Sequence, residues 1–433
     1  MDPITIGYIG VGTLIVLILV GVPVAYAIGA TATVGNIALI GWSGTSAQVY
    51  QVTSSQLTNF LMLSVPMFIL MGQLFYRGNL GKDLYDCVYR WVGRLPGGLA
   101  LASILTCGGF GAVTGVSSAA VATTSTIVMP EMKRYGYSMA LSSGAVATAS
   151  ALAILIPPSL ILIIYGLWTN TSIGRLFLAG IVPALMLMSI YVLYIVVVCS
   201  VRPELGPKGE RFSFREKVYS LRGIIPVAVI FLLVIGGLYV GWFTPGEAGA
   251  VGAAIAFLML LVMRRLEFWD IVSALSETAK LTAMLLAIFI AVSLFSRFVT
   301  VTGVTGVVVH FFDTGIDNVY LALFLIILIF IGLGMFFDGF SVLLLTLPFL
   351  LPVIEVYQID LVWFGIFAAI LIEIGLVTPP VGLNCFVLRK AYPDVDIATV
   401  FRGAAPFILL TLFGIGLLVL FPQLALWLPE AAF

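Results

Sequence analysis

Between Leu101 and Leu160 the chain does something an ordinary membrane helix cannot. Two apolar arms, each too short to cross a bilayer comfortably, flank the small-residue knot Thr114-Gly115-Val116-Ser117-Ser118, and after a basic segment the next apolar run is interrupted by Pro157-Pro158. This is the pattern of a re-entrant hairpin followed by an unwound helix. Backbone polar groups left free in hydrocarbon cost several kcal/mol each, so such irregularity at membrane depth survives only where it lines a cavity or a bound ligand.

The class follows from bulk composition: 61% of residues are hydrophobic, 9% are charged and the mean hydropathy is +1.19. Those values belong to a polytopic helical membrane protein. The opening segment carries Asp2, lacks a basic n-region and runs into further apolar sequence, so it reads as a span and not a signal peptide. A net charge of zero argues against nucleic acid as a partner. Cys87, Cys107, Cys199 and Cys385 have no metal-ligand spacing and read as buried packing residues.

At about 20 apolar residues per span, helices are expected near 4–20, 24–42, 57–76, 138–164 (broken), 176–200, 223–243, 247–263, 281–300, 361–388 (broken) and 405–427. Hairpins are expected at 98–132 and 319–356. With both termini periplasmic, 18 of the 20 Lys and Arg residues fall in cytoplasmic loops, leaving Arg175 and Arg297 near the outer face. The positive-inside rule supports this orientation. Basic, Trp-containing segments from Tyr76 to Pro96 and from Arg264 to Lys280 read as arms along the membrane surface, or, for the second, as a simple basic loop.

The same map contains an internal repeat. Thr114-Gly115-Val116-Ser117 aligns with Asp338-Gly339-Phe340-Ser341 at an offset of 224, and Ile156-Pro157-Pro158 with Thr378-Pro379-Pro380 at an offset of 222. Each unit makes an odd number of crossings, so the second is inverted relative to the first. The expected fold is therefore all-α: two inverted-topology repeats, 1–200 and 223–433, joined by a cytoplasmic linker at 201–222. Paired discontinuous helices in inverted repeats are the architecture of secondary transporters.

A helix that stops in mid-membrane presents amides or carbonyls to the gap, carrying about half a charge from the macrodipole. Carbonyls and hydroxyls suit a hard cation such as Na⁺, and amide ends suit a carboxylate. The first gap offers Thr114, Ser117 and Ser118 with the carbonyls of Ala153 and Ile156; the second offers Asp338, Gly339 and Ser341 with Gly375, Thr378 and Pro379. Two such pockets imply at least two cations. Asp338 is positioned to bind a cation, carry a proton or cap a half-helix, and Glu373 to contact a solvated cavity or a neighbouring scaffold. No basic residue falls at mid-depth, so an anionic substrate would be met by amides, the hydroxyls of Ser118 and Ser341, Asp338, Asn384 and the bound cations. His310, the only histidine, reads as an interfacial anchor.

The segments GGFGAVTGVSSAAVAT, MPEM, ILIPPS, DGFS with LTLP, and GLVTPPVGLN together resemble the large membrane subunit of tripartite ATP-independent periplasmic (TRAP) transporters, over essentially the whole chain. The resemblance implies an elevator-type, Na⁺-driven importer in the bacterial inner membrane. It implies partnership with a separate small membrane subunit and with a periplasmic substrate-binding protein that delivers organic acids. It places one Na⁺ on Thr114, Ser117, Ala153, Ile156 and Pro157, and a second on Gly339, Gly375, Thr378 and Pro379. Ala153 stands where the pattern leads one to expect glycine. The rival readings are a stand-alone Na⁺/dicarboxylate carrier of the same superfamily, which needs no binding protein, and a passive channel. A membrane enzyme is disfavoured, since there is no HExxH, no catalytic histidine and no paired aspartates on facing helices.

Overall fold

The structure, a computed structural model, describes residues 1–432, the side chains of Ala112 and Val113 excepted. Among the described residues it is all helix, with no strand. Seven helices are long and apolar enough to cross a membrane, or up to nine if two bent pairs each count as one span.

At the centre lies Leu361–Val377, every residue of which is buried from Val362 onward. A helix that is apolar on all sides belongs in a core and not on a surface. It starts where Asp360 Oδ1 accepts the amides of Val362 and Trp363, at 2.7 and 2.9 Å. Around it pack Val319–Gly334, Gly339–Val356, Ser150–Leu155, Leu160–Thr169, Ile173–Val201 and Ile397–Leu420. Val24–Leu57, kinked at Gly41, and the 34-residue helix Phe268–Val301 run against each other outside this group. Phe298 seals that layer: a methyl group at Gly10 or Gly35 would lie 2.5 or 2.3 Å from its ring.

Both predicted hairpins are helix–turn–helix units. Gly98–Thr114 ends at Gly115, whose φ of 63° suits a residue without a Cβ, and Val116 is extended before Ser117–Arg134 begins. Val319–Gly334 is followed, after a short turn, by Gly339–Val356, capped by Asp338. The arms of each pair touch. Both predicted breaks are also present. Met139–Thr148 and Ser150–Leu155 stop at extended Ile156 (ψ 123°), and the chain restarts as Leu160–Thr169 with a 41° bend. Leu361–Val377 stops at extended Thr378 (ψ 134°) and restarts as Leu383–Ala391. In each case the residue before Pro-Pro is pushed out of the α region by the proline ring. Both Pro-Pro bonds are cis.

Several boundaries differ from expectation. The helix expected to end near 42 does so at Gly41, where φ 74° and ψ 174° put a kink, and a second, unexpected helical segment follows from there to Leu57. The basic segment from Arg264 is not a separate surface arm, because Phe268–Val301 is continuous through it. The last span ends at Leu420, since Phe421 precedes Pro422, and a short helix Gln423–Ala432 follows. The first arm is a helix, Leu80–Val92, held by an Asp83–Arg265 ion pair and by Trp91 Nε1 donating to Lys217 O at 3.2 Å. The 201–222 segment lies along it, with Gly209 N donating to Gly93 O (2.8 Å) and Glu210 N to Tyr89 OH (3.2 Å). The four cysteines are buried and unbridged, and His310 is exposed on Val304–Gly315.

Small residues let these helices approach backbone to backbone. A methyl group at Gly403 would lie 1.9 Å from Ala140 O, whereas one at Gly416 on the same helix meets nothing within 4 Å. Gly403→Ala is therefore expected to destabilise the detergent-solubilised protein by about 1–3 kcal/mol. Gly416→Ala should be neutral or slightly stabilising. Thermal unfolding of the two variants side by side checks the difference, and equal melting would contradict the packing.

Candidate functional site

Prolines at 157, 158, 379 and 380 remove specific hydrogen bonds. The α-helical donor to the Ala153 carbonyl would be the amide of residue 157, and that to Ile154 the amide of residue 158; neither exists in proline. By the same count Gly375 and Leu376 lose their donors at 379 and 380. Gly375 O accepts a tighter bond from Thr378 N at 3.1 Å. Each break thus leaves carbonyl oxygens under-satisfied at the end of a buried half-helix.

Each hairpin tip sits on one of these breaks. At the first, Leu160 N donates to Gly115 O at 3.4 Å, and a methyl group at Gly115 would lie 2.9 Å from Pro158 O. One turn earlier, Gly111 packs so closely on Ala153 that an added methyl would fall 2.0 Å from the Ala153 Cβ. Thr114 and Ser117 are buried at this tip, 5% and 6% exposed, with Thr114 Oγ1 donating to Phe110 O at 3.3 Å. Ser118 is half-buried. Ala153 is buried, and Ile156 and Pro157 form the break itself.

The second tip repeats the arrangement. Gly334 and Gly375 approach so closely that a methyl on either would lie 2.7 or 2.5 Å from the other's Cα, the counterpart of Gly111 on Ala153. Gly339 lies against Ile372 and Leu376 of the second broken helix and Ile161 of the first, so this tip touches both. Thr378 is half-buried with Oγ1 donating to Ile374 O at 2.6 Å, and Pro379 is exposed. Of the three roles open to Asp338, the geometry supplies the cap. Its Oδ1 accepts the amides of Phe340 and Ser341, both at 3.1 Å, and its Oδ2 accepts the Ser341 hydroxyl at 2.5 Å. Ser341 is 1% exposed.

Asn384 and Glu373 are brought together in the core. Both are buried, and Asn384 Nδ2 donates to Glu373 Oε2 at 3.3 Å and to Ser150 Oγ at 3.0 Å. Ser150, which the sequence reading passed over, has Oγ 2.8 Å from Glu373 Oε2. A serine inside the run Ala149–Leu155 was the only local signal for it.

Two cavities bear on access. One, of about 270 Å³, runs from Thr114 and Val116 at the first tip past Gly72 and Gln73 to Arg77 and Glu277. The other, of about 350 Å³, is lined by Gln56, Asn59, Trp168, Asn170, Ser293 and Arg297, and no hairpin residue contributes to it. Apart from the Asp338 carboxylate, which is engaged in capping, the oxygens at the two tips are neutral hydroxyls and carbonyls, a set that fits a hard monovalent cation.

Residues 11–424 match the family model described as tripartite ATP-independent periplasmic transporter, DctM component. The chain is 33% identical over 373 residues to the C4-dicarboxylate TRAP transporter large permease protein DctM of Pseudomonas aeruginosa, covering 86% of this chain and 87% of that one. It is 32% identical over 431 residues to the ectoine TRAP transporter large permease protein TeaC of Halomonas elongata, covering 98% and 99%. It is also 32% identical over 374 residues to the sialic acid TRAP transporter large permease protein SiaM of Vibrio cholerae, covering 86% and 87%. In fold it is similar to the YdaH transporter of Alcanivorax borkumensis, with a TM-score of 0.58 at 15% identity over 90% of each chain. A second likeness is MtrF of Neisseria gonorrhoeae, with a TM-score of 0.52 at 13% identity, covering 99% of this chain and 95% of that one.

The capping geometry yields a direct test of Asp338. Asp338→Ala should cost about 1 kcal/mol of stability, within a span of roughly 0.5–2. Asp338→Asn, which keeps an acceptor for the two amides, should recover most of it. A thermal melt showing Asn no better than Ala would refute the capping role.

Proposed function

The chain belongs to the DctM component family of tripartite ATP-independent periplasmic transporters, and we propose that it is the membrane permease of a Na⁺-coupled importer of organic acids. It is a transporter subunit and not an enzyme. The observation that carries the proposal is the pairing of two hairpin tips with two Pro-Pro breaks whose carbonyls have lost their amide donors. One Na⁺ sits among Thr114, Ser117, Ala153, Ile156 and Pro157, and another among Gly339, Gly375, Thr378 and Pro379. The repeated glycine contacts, Gly111 on Ala153 and Gly334 on Gly375, support two equivalent halves.

In this reading the halves are inverted repeats, the hairpins are re-entrant, and hairpins with broken helices move as an elevator past the long outer pair Val24–Leu57 and Phe268–Val301. The chain resides in the bacterial inner membrane with both termini periplasmic. The cavity joining Thr114 to Arg77 and Glu277 then reaches the first site from the cytoplasmic side, an inward path for release. A carboxylate substrate meets amides, the hydroxyls of Ser118 and Ser341, and the two cations, with no fixed basic side chain, and this makes its binding conditional on Na⁺. A small membrane subunit and a periplasmic substrate-binding protein complete the machine. The named cargoes of the relatives, C4-dicarboxylate, ectoine and sialic acid, indicate the size range of small acids and zwitterions.

Reconstituted uptake tests this reading. With its partner proteins, the complex should accumulate substrate only under an inward Na⁺ gradient. Ser117→Ala and Thr378→Ala should each raise the Na⁺ concentration for half-maximal uptake by roughly tenfold, with melting unchanged. Wild-type Na⁺ titrations in both variants would overturn the cation assignment. Uptake of free substrate by this chain alone would favour the stand-alone carrier, and unsaturable flux a channel.

A further inference from the structure

Among the described residues, Glu373 is the only charged side chain in the buried class, at 1% exposure. No lysine, arginine or histidine lies within ion-pair distance of it, since the three ion pairs among the described residues are all elsewhere. Its Oε2 is 2.8 Å from Ser150 Oγ and 3.3 Å from Asn384 Nδ2. Its Oε1 has no hydrogen-bond partner, and neither has Asn384 Oδ1. The Ser117 hydroxyl of the first hairpin tip also bears on this carboxylate, and the nearer donors are already engaged. Both hydrogens of Asn384 Nδ2 are directed, one to Ser150 Oγ and one to Glu373 Oε2, and Ser150 has a single hydroxyl hydrogen to divide between Glu373 and Ala147 O.

What remains is a pair of buried acceptor oxygens, one of them on a carboxylate whose neighbouring donors, Ser117, Ser150 and Asn384, are all neutral. An uncompensated carboxylate in an apolar interior is among the costliest arrangements a fold can hold. A cation supplies what is missing. One carboxylate against neutral oxygens fits a single positive charge, because a divalent ion would leave excess charge in the same surroundings. The place is also telling. Ser150 belongs to the first broken helix and Glu373 to the second, 223 residues on, within one residue of the offset relating the two breaks.

We propose that Glu373 Oε1 and Asn384 Oδ1, held by Ser150, form a third monovalent-cation site for Na⁺ at the junction of the two halves. It rests on the Na⁺-coupled reading above and extends it. Ser150 is three residues from Ala153 and Glu373 two from Gly375, so a cation here touches both candidate Na⁺ sites through their own helices. Occupation of the junction then ties the two sites together.

The test is equilibrium binding of radioactive Na⁺ to the purified full chain at fixed pH, with melting followed in parallel. Glu373→Gln, nearly isosteric, should bind one fewer Na⁺ per chain than the wild type. It should melt at or above the wild type without Na⁺, and gain less from Na⁺. Asn384→Ala should keep the stoichiometry but weaken the affected component by roughly tenfold or more. Full Na⁺ stoichiometry with unweakened affinity in both variants would overturn the third site and leave the coupling reading intact. The same holds if Glu373→Gln keeps its Na⁺ count and changes only the pH dependence of transport, which would make the bound cation a proton. A wild-type chain that binds no Na⁺ would overturn both.

Discussion

A proline cannot donate a backbone hydrogen bond, and in this molecule two pairs of them interrupt helices. Carbonyls near Ala153 and Gly375 end their half-helices without the amide that would normally meet them. Much of the rest of the structure is arranged around that deficit. Each break is met by the tip of a helical hairpin, and each tip is rich in residues small enough to come close. Gly111 against Ala153 and Gly334 against Gly375 bring backbones nearer than any larger side chain permits. The first break is thus packed in protein, while Pro379, Pro380 and Val381 of the second are exposed.

The surrounding architecture follows from what these tips and breaks need. Leu361–Val377, buried on every side, is the spine against which the hairpins and the first broken helix are assembled. The second tip reaches both breaks, through Gly339 against Ile372, Leu376 and Ile161. Outside, Val24–Leu57 and Phe268–Val301 form a long paired layer closed by Phe298. A central group held by close small-residue contacts, beside a long paired layer, is a layout in which one part can shift relative to the other. The functional proposal uses it in that way.

Much of this was legible in the chain before any coordinates. Hydropathy alone set the class, and Pro-Pro with Gly-rich knots located both hairpins and both breaks within a few residues, because proline and glycine act locally on their own backbone. What local pattern could not carry was partnership across the molecule. Ser150 meets Glu373 from 223 positions away, and nothing near either residue announces the other. The same limit applied to Asp338, whose three possible roles were separated only once the amides of Phe340 and Ser341 were seen to converge on its carboxylate. Helical segments were missed where polar sequence stayed helical, as beyond the kink at Gly41 to Leu57 and from Phe268 to the expected start near 281. Composition there resembles a loop, while neighbouring helices supply the packing that keeps the segment helical.

The central claim is that each hairpin enters the membrane and returns to the face it came from, with the two hairpins opening to opposite faces. Single cysteines at the exposed positions Leu95, Gly136, Asp317 and Gln358 bracket the two hairpins, and the four native cysteines are buried. An impermeant thiol reagent applied to the periplasmic side should label the cysteines at 317 and 358 and spare those at 95 and 136 until the membrane is opened. Labelling that separates the two ends of either hairpin to opposite faces would show that segment passing through the membrane, and the account would fail with it.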